Sequence, residues 1–254
     1  MKKNILYGVF ALAAVFSLTA LASCGDDDKD ETTQEAAGGS GQSGKGDESG
    51  DKESEDKDPV TTKVNGHDFV DLGLPSGLLW AATNLGATST TGYGSYFAWG
   101  ETTAKTSFSW ENYKWCNGDE DHITKYGTDG KSVLDAADDA ATAQWGEPCR
   151  IATKEEFKEL GDNCTAQFTT YKGVYGCKVT SKTNDNFIFL PAAGLYNDEG
   201  LLTDGSRSYY WSSTADSDMP EDAYVAYSTG NIAFSSNTLA RFGGLPVRPV
   251  ASVK

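Results

Sequence analysis

The chain has few histidines and no excess of basic residues, and each shortage argues against a class of function. Among 254 residues there are two histidines, and 21 Lys and Arg stand against 37 Asp and Glu, for a net charge of −16. So acidic a protein does not bind nucleic acid through a basic patch. No two cysteines have the Cys-x-x-Cys spacing of zinc or thioredoxin-like sites. The nucleophile motif Gly-x-Ser-x-Gly and internal repeats are also missing.

The N-terminus carries a basic and then an apolar segment that ends at a cysteine. Lys2 and Lys3 precede an apolar run that extends to about Leu21, and Leu-Ala-Ser-Cys ends at Cys24. This order is typical of a secretory signal peptide, here residues 1–23. A transmembrane helix is the alternative, but the run is near the lower length limit for a span. Leu-Ala-Ser-Cys resembles the lipobox of bacterial lipoproteins, which implies cleavage before Cys24, its acylation and a lipid anchor in the membrane.

Residues 24–58 follow as the lipidated cysteine and an acidic tether. Positions 25–58 hold 13 acids, 4 lysines and hardly any apolar residue, which predicts disorder. The run Asp26-Asp27-Asp28 resembles the export signal that sends lipoproteins of the Bacteroidetes to the outer face of the outer membrane. The predicted localisation is therefore the outer membrane, lipid-anchored and facing the cell exterior, with periplasmic retention as the alternative.

Residues 59–254 read as one folded α+β domain with several short, mainly antiparallel strands. Alternation of polar and apolar residues predicts a strand at 68–72, with a return strand at 78–83. A hairpin is predicted from residues 174–181 and 187–190. Further short strands are expected at 92–100, 209–213, 224–227, 231–235 and 247–250.

Two helices are expected in the middle of the domain. The first spans about Val133–Trp145, because apolar residues recur there at three- and four-residue steps. The second begins at Thr153, where Thr153-Lys154-Glu155-Glu156 forms a capping box, and is expected to end at Gly161.

Several ordered blocks of this domain resemble the Fibrobacter succinogenes major paralogous domain. They are Phe69–Gly77 with Leu79–Ala81, Tyr96–Thr102, Arg150–Phe157, Phe189–Gly194, Tyr210–Ser213 and Val247–Val250. The resemblance covers roughly residues 64–250. It implies a C-type-lectin-like fold, similar also to the formylglycine-generating-enzyme fold, in a family of gut bacterial lipoproteins that mostly has no assigned activity.

Four cysteines remain besides Cys24, and an oxidising compartment permits disulfides between them. Sequence alone leaves all three pairings of Cys116, Cys149, Cys164 and Cys177 open. In the family that the chain resembles, the positions of Cys149 and Cys177 are usually aromatic, which implies that the two face each other. The implied pairs are Cys149–Cys177 and Cys116–Cys164, and the alternative is that each cysteine fills small apolar space.

No catalytic or metal site is expected. His67 and His122 lie in polar contexts with no nucleophile motif nearby. Glu147-Pro148-Cys149 superficially resembles a sugar-binding triplet of calcium lectins, but its position predicts a turn between the helices. Calcium is a minor alternative, with oxygen ligands available in two acidic loops at Asn197, Asp198, Glu199, Asp216, Asp218, Glu221 and Asp222.

The C-terminal segment has the composition of a recognition surface. Residues 205–245 are rich in Tyr, Trp, Arg and small polar residues, including Tyr209, Tyr210 and Tyr227, while Trp211 and Tyr224 are expected in the core. Candidate ligand-binding positions are Ser228, Asn231, Ser235, Asn237, Leu239, Arg241 and Phe242. This segment resembles the variable region of lectin-fold lipoproteins diversified by retroelements.

The sequence therefore predicts a surface-displayed lipoprotein that acts as a non-catalytic ligand-binding module, without a cofactor, for a glycan or protein outside the cell. One alternative is a structural or adhesive envelope component, such as a fimbria-associated subunit. An enzyme of unknown reaction is the other, and a pocket with a histidine beside a carboxylate would favour it.

Overall fold

The computed structural model describes residues 57–127, 129–202, 205, 207–229 and 232–252, with side chains omitted at 232–236. The described part is an α+β domain, mostly antiparallel strands with two helices. This confirms the predicted fold class in general. The predicted signal peptide, Cys24 and nearly all of the predicted tether lie outside the described residues.

A five-stranded antiparallel sheet joins the two ends of the domain. Its order is β1-β2-β3-β13-β4. The strands are Thr62–Val64 (β1), His67–Asp71 (β2), Leu79–Ala81 (β3), Cys149–Ile151 (β4) and Pro249–Ala251 (β13). Since β13 lies between β3 and β4, the last described strand closes the sheet that the first strands begin.

The remaining strands form three smaller antiparallel sheets. One contains Cys164–Tyr171 (β5), Val174–Ser181 (β6) and Phe187–Pro191 (β7). A two-stranded ribbon contains Leu195–Asn197 (β8) and Gly200–Leu202 (β9). The last contains Arg207–Ala215 (β10), Asp222–Thr229 (β11) and Ile232–Ala240 (β12). The β6–β7 hairpin and the C-terminal strands are confirmed, whereas residues 92–100 contribute only a single bridge, Phe97 to Leu245.

The helices are shorter and differently placed than predicted. Residues 136–138 form a 3₁₀ turn, and α1 spans only Ala140–Trp145. The helix cannot start at Val133, because Asp139 caps it by accepting a hydrogen bond from the Thr142 backbone amide. The second helix, α2, spans Lys154–Asn163, with the capping box of Thr153 and Glu156 formed as predicted. It continues past Gly161, since Cys164 is its C-cap.

The β5–β7 sheet and the β10–β12 sheet share a hydrophobic cluster. One face of β5–β7 carries Cys177, Val179 and Leu190, which share a hydrophobic cluster with Tyr210 and Ala226 of β10–β11. The opposite face of β5–β7 carries a second aromatic cluster, Tyr171, Phe187 and Phe189. There the hydroxyl of Tyr171 bonds Asp58, which also pairs with Lys172. Asp58, near the start of the described residues, is therefore held on this opposite face of β5–β7.

A buried arginine ties three parts of the core together. Arg248 is fully buried and donates to the side chain of Asn84 and to the carbonyls of Ala81 and Phe189. Burial lowers the pKa of its guanidinium. The three acceptors lie on different segments, so this one side chain connects β3, β7 and the loop that follows β3.

Among the described residues, neither helix has the length and apolar composition needed to span a bilayer.

Candidate functional site

The β10–β12 sheet presents two faces of different character. Side chains alternate along a strand, and the register pairs Tyr210 with Ala226 and Ser208 with Ser228 on the face against β5–β7. On the opposite face Tyr209 pairs with Tyr227, and Trp211 pairs with Val225. Trp211 and Val225 belong to the second large core cluster, under the long loops. Tyr209 packs partly against this cluster, and both Tyr209 and Tyr227 are partly exposed.

Tyr209 and Tyr227 form a half-buried aromatic pair. Their ring centroids are 4.9 Å apart and their planes meet at 33°. Burial raises the pKa of Tyr209, although a hydrogen bond with Arg207 opposes the shift. The hydroxyl of Tyr209 thus stays protonated at physiological pH, and neighbouring strands fix the positions of both rings.

Asn237 extends this pair towards the edge of the sheet. It is exposed and lies opposite Val225 in the register, two residues along β11 from Tyr227. Such diagonal neighbours are within reach of long side chains. Its Oδ1 accepts a 2.9 Å hydrogen bond from the Thr238 backbone amide. We refer to Tyr209, Tyr227 and Asn237 as the platform.

The structure removes two of the predicted ligand-binding residues from solvent. Ser228 is only 1% exposed, because it faces β5–β7 and bonds the thiol of Cys177. Arg241 is fully buried, and the prediction that it contacts a ligand is wrong. Its Nε donates to the Asp222 carbonyl, and its Nη1 donates to the carbonyls of Lys125 and Tyr126. Arg241 therefore fastens the long loop before α1 to the ends of β11 and β12.

The other predicted positions are divided. Leu239 packs partly on the second core cluster, and Phe242 packs on Trp110 with ring centroids 4.9 Å apart. Both side chains are partly buried, and their role in ligand binding stays a prediction. Asn231 lies outside the described residues, and only the backbone of Ser235 is described. Of the predicted positions whose side chains are described, Asn237 alone is exposed.

The predicted disulfides are not formed, because the four described cysteines are free thiols. Cys149 lies on edge strand β4, in a cluster with Leu79 and Ala251, while Cys177 lies in the core cluster inside β6. A disulfide needs Cα atoms within about 7 Å. Cys116 packs with the loop aromatics and Cys164 beside α2, so the second predicted pair is separated in the same way.

The histidines occupy separate surface positions. His67 stacks on Trp145, with ring centroids 3.8 Å apart. The Nδ1 of His122 lies 2.6 Å from Asp119, and both side chains are more than half exposed. Neither histidine lines the cavity of about 360 Å³ between α1 and β4.

That cavity is lined by groups that already have internal partners. Asp139 accepts hydrogen bonds from the backbone amides of Thr142 and Ile151, and burial raises its pKa. Arg150 forms a bidentate pair with Glu156. These contacts cover the free edge of β4 and cap α1.

The acidic loops use their oxygens for turns. Asn197 accepts from the Glu199 amide, and Asp216 accepts from the amides of Asp218 and Met219. Within the described ranges, no three His, Cys, Asp or Glu side chains converge on a point that could hold a metal ion.

Tyr209 and Tyr227 were absent from the predicted ligand-binding positions. The signal that could have found them is strand alternation, because residues 209 and 211 share a face and so do 225 and 227. Finding the exposed end of that face requires the register and the loops that cover the rest.

Comparisons with protein-family models, with curated proteins and with solved structures gave no match. The resemblance to the paralogous domain therefore stays a prediction.

Proposed function

We propose that this protein is a non-catalytic recognition module that binds its ligand on the platform. The observation that carries the proposal is the position of Tyr209, Tyr227 and Asn237 on one accessible sheet face. Tyrosine supplies a large contact area at a low cost in conformational entropy, and half-buried rings are already ordered. The platform thus combines rigid rings with an exposed amide.

The N-terminal sequence supports display of this module outside the cell. A lipid on Cys24 and an acidic tether would hold the domain at the outer membrane, facing the exterior. The sheet-rich α+β architecture is compatible with the C-type-lectin-like fold that the resemblance implies, in which sheets present loops and strand ends to ligands. In this proposal the ligand is a glycan or a protein, and binding needs no cofactor.

The proposal is tested with the full chain in detergent, labelled and applied to glycan and protein arrays. We expect a ligand whose binding falls in the Tyr227→Ala and Asn237→Ala variants. Tyr175→Ala is the matched control, since Tyr175 is 40% exposed on a different sheet. A ligand whose binding is equal in all four proteins would place recognition elsewhere and contradict the proposal.

Edge strand β12 favours a structural envelope component as the second candidate. In the described part of the chain, this nine-residue strand pairs with β11 alone. An edge strand of that length can accept a strand from a partner. Assemblies of fixed stoichiometry extracted from the envelope in mild detergent would favour this candidate, whereas a uniformly monomeric chain would oppose it.

A further inference from the structure

The sheet that contains the platform has very few charged residues. Strands β10, β11 and β12 contain two charged residues, Arg207 and Asp222, each the first residue of its strand. Arg207 is already engaged with Tyr209. Residues 59–254 as a whole hold 24 acids and 15 bases. A charged ligand on this face would give up hydration without gaining a free partner of opposite charge.

The two rings suit a ligand with flat apolar faces and polar edges. Neighbouring strands are about 4.8 Å apart, and the ring centroids of Tyr209 and Tyr227 keep nearly this spacing at 4.9 Å. A pyranose ring has C–H groups on its faces and hydroxyl groups around its edge. It can therefore lie on an aromatic ring without burying an unpaired polar group.

Asn237 adds a hydrogen-bonding group beside the rings. Because its Oδ1 is held by the Thr238 amide, its NH₂ group remains as a donor. A hydroxyl-rich ligand that lies over Tyr227 offers acceptors at this position.

A protein ligand fits this face less well. Protein interfaces have an apolar core with anchoring side chains. Among the described residues, the most exposed large hydrophobic side chains all lie outside β10–β12. They are Val60, Tyr93, Val133, Tyr175, Leu201, Leu202 and Met219.

We infer that the platform binds an uncharged oligosaccharide, with a sugar ring packed on the pair formed by Tyr209 and Tyr227 and a hydroxyl group bonded to Asn237. This inference rests on the proposed function and narrows its ligand to one class. We expect the oligosaccharide to bind independently of calcium and of salt concentration, because the contacts are ring packing and hydrogen bonds between uncharged groups.

The experiment uses the full chain in detergent on an array of neutral, sialylated and sulfated glycans, with and without EDTA and at low and high NaCl. We expect binding to neutral glycans that survives EDTA and high salt. Tyr227→Ala should weaken it about tenfold or more and Asn237→Ala about threefold, while Tyr175→Ala leaves it unchanged. Circular dichroism and thermal melting of each variant confirm that the domain is folded.

The possible failures are distinguishable. Binding confined to acidic glycans, or a protein ligand lost in Tyr227→Ala, would overturn the inference and leave the proposed function standing. Glycan binding that both platform variants retain would overturn both. The lack of binding to any arrayed glycan would overturn the inference, and the protein array would then decide the proposed function.

Discussion

The guanidinium of Arg241 lies 4.5 Å from the centroid of the Trp99 ring, inside the domain. The sequence predicted Arg241 as a ligand contact, but in the structure its side chain is buried and bonds the backbone of other segments. The cation meets three backbone carbonyls and an aromatic face, and burial lowers its pKa although Tyr113 and Asp222 oppose the shift. Asn237 precedes Arg241 by four residues and lies on β12, but its side chain is exposed.

Replacing Arg241 should destabilise the domain far more than replacing Asn237. Arg241→Met removes three hydrogen bonds to backbone carbonyls, which we expect to cost about 3 kcal/mol of unfolding free energy. Asn237→Ala should cost less than about 0.5 kcal/mol. Urea denaturation followed by tryptophan fluorescence measures both values. Equal stabilities of the two variants would show that Arg241 does not hold the loop before α1 against β11 and β12.

The carboxylate of Asp138 should make stability depend on pH in the acid range. Asp138 is 4% exposed and accepts hydrogen bonds from Lys125, Lys114 and the Tyr126 hydroxyl. Burial would raise its pKa, but the bond from Lys125 and the other donors outweigh burial, and the net shift is downward. Its contribution is then present above the unfolded pKa of about 4 and is lost as pH falls through the lower folded pKa.

We therefore expect Asp138→Asn to lower the free energy of unfolding at pH 7 by about 2 kcal/mol, which is measured as a lower melting temperature. The difference from the unmodified protein should shrink as pH falls below 4. Asp198→Asn is the control, since Asp198 is exposed. A constant difference between pH 7 and pH 3 would show that the charge of Asp138 does not contribute.

The free thiols should differ in reactivity. Burial raises the pKa of Cys164 to about 11 and that of Cys177 to about 12, and Cys149 is also buried with a raised pKa. Thiolates are the reactive species, so these three should resist iodoacetamide in the native protein. Cys116 is partly exposed and should react first. Peptide mass spectrometry under non-reducing conditions measures this, and a linked Cys149–Cys177 peptide would restore the disulfide predicted from the resemblance.

Asn65 should stabilise the end of α1 from a distant turn. Its side-chain amide lies within 2.9–3.2 Å of the carbonyls of Trp145, Gly146 and Glu147. The residue also has a positive φ of 49°. Asn65→Gly keeps this backbone conformation and removes the amide, so we expect a loss of about 1–2 kcal/mol. Hydrogen exchange of the Gly146 and Cys149 amides should be faster in the variant. An unchanged rate would show that the Asn65 side chain does not stabilise the end of α1.

The local elements of the fold were largely predictable, because they depend on neighbouring residues. The capping box of Thr153 and Glu156 and the hairpin at 174–191 are local patterns that survive in the structure. The helix at Val133 was wrong because Val133 forms a bridge with Thr214, a contact across 81 positions that local periodicity cannot show. Tertiary pairing prevailed over an apolar spacing that also fits a helix.

The candidate site was less predictable, since exposure depends on what covers each face. Ser228 and Tyr227 are adjacent in sequence, yet their side chains lie on opposite faces of the sheet. Ser228 faces β5–β7, whereas Tyr227 belongs to the platform. Arg241 was misplaced for the same reason, because the loop that buries it lies more than a hundred positions earlier. Composition pointed to the segment that contains Tyr209, Tyr227 and Asn237, and only the register separated the two faces of its sheet.

The bond between Asp58 and Tyr171 has a practical consequence for any assay of this protein. It holds the start of the domain on the outer face of β5–β7, while the platform lies on the far face of β10–β12. Stacked sheets are about 10 Å apart. A fluorescent reporter attached at Lys57, beside Asp58, therefore lies on the side of these sheets away from Tyr227 and leaves the platform open to ligand.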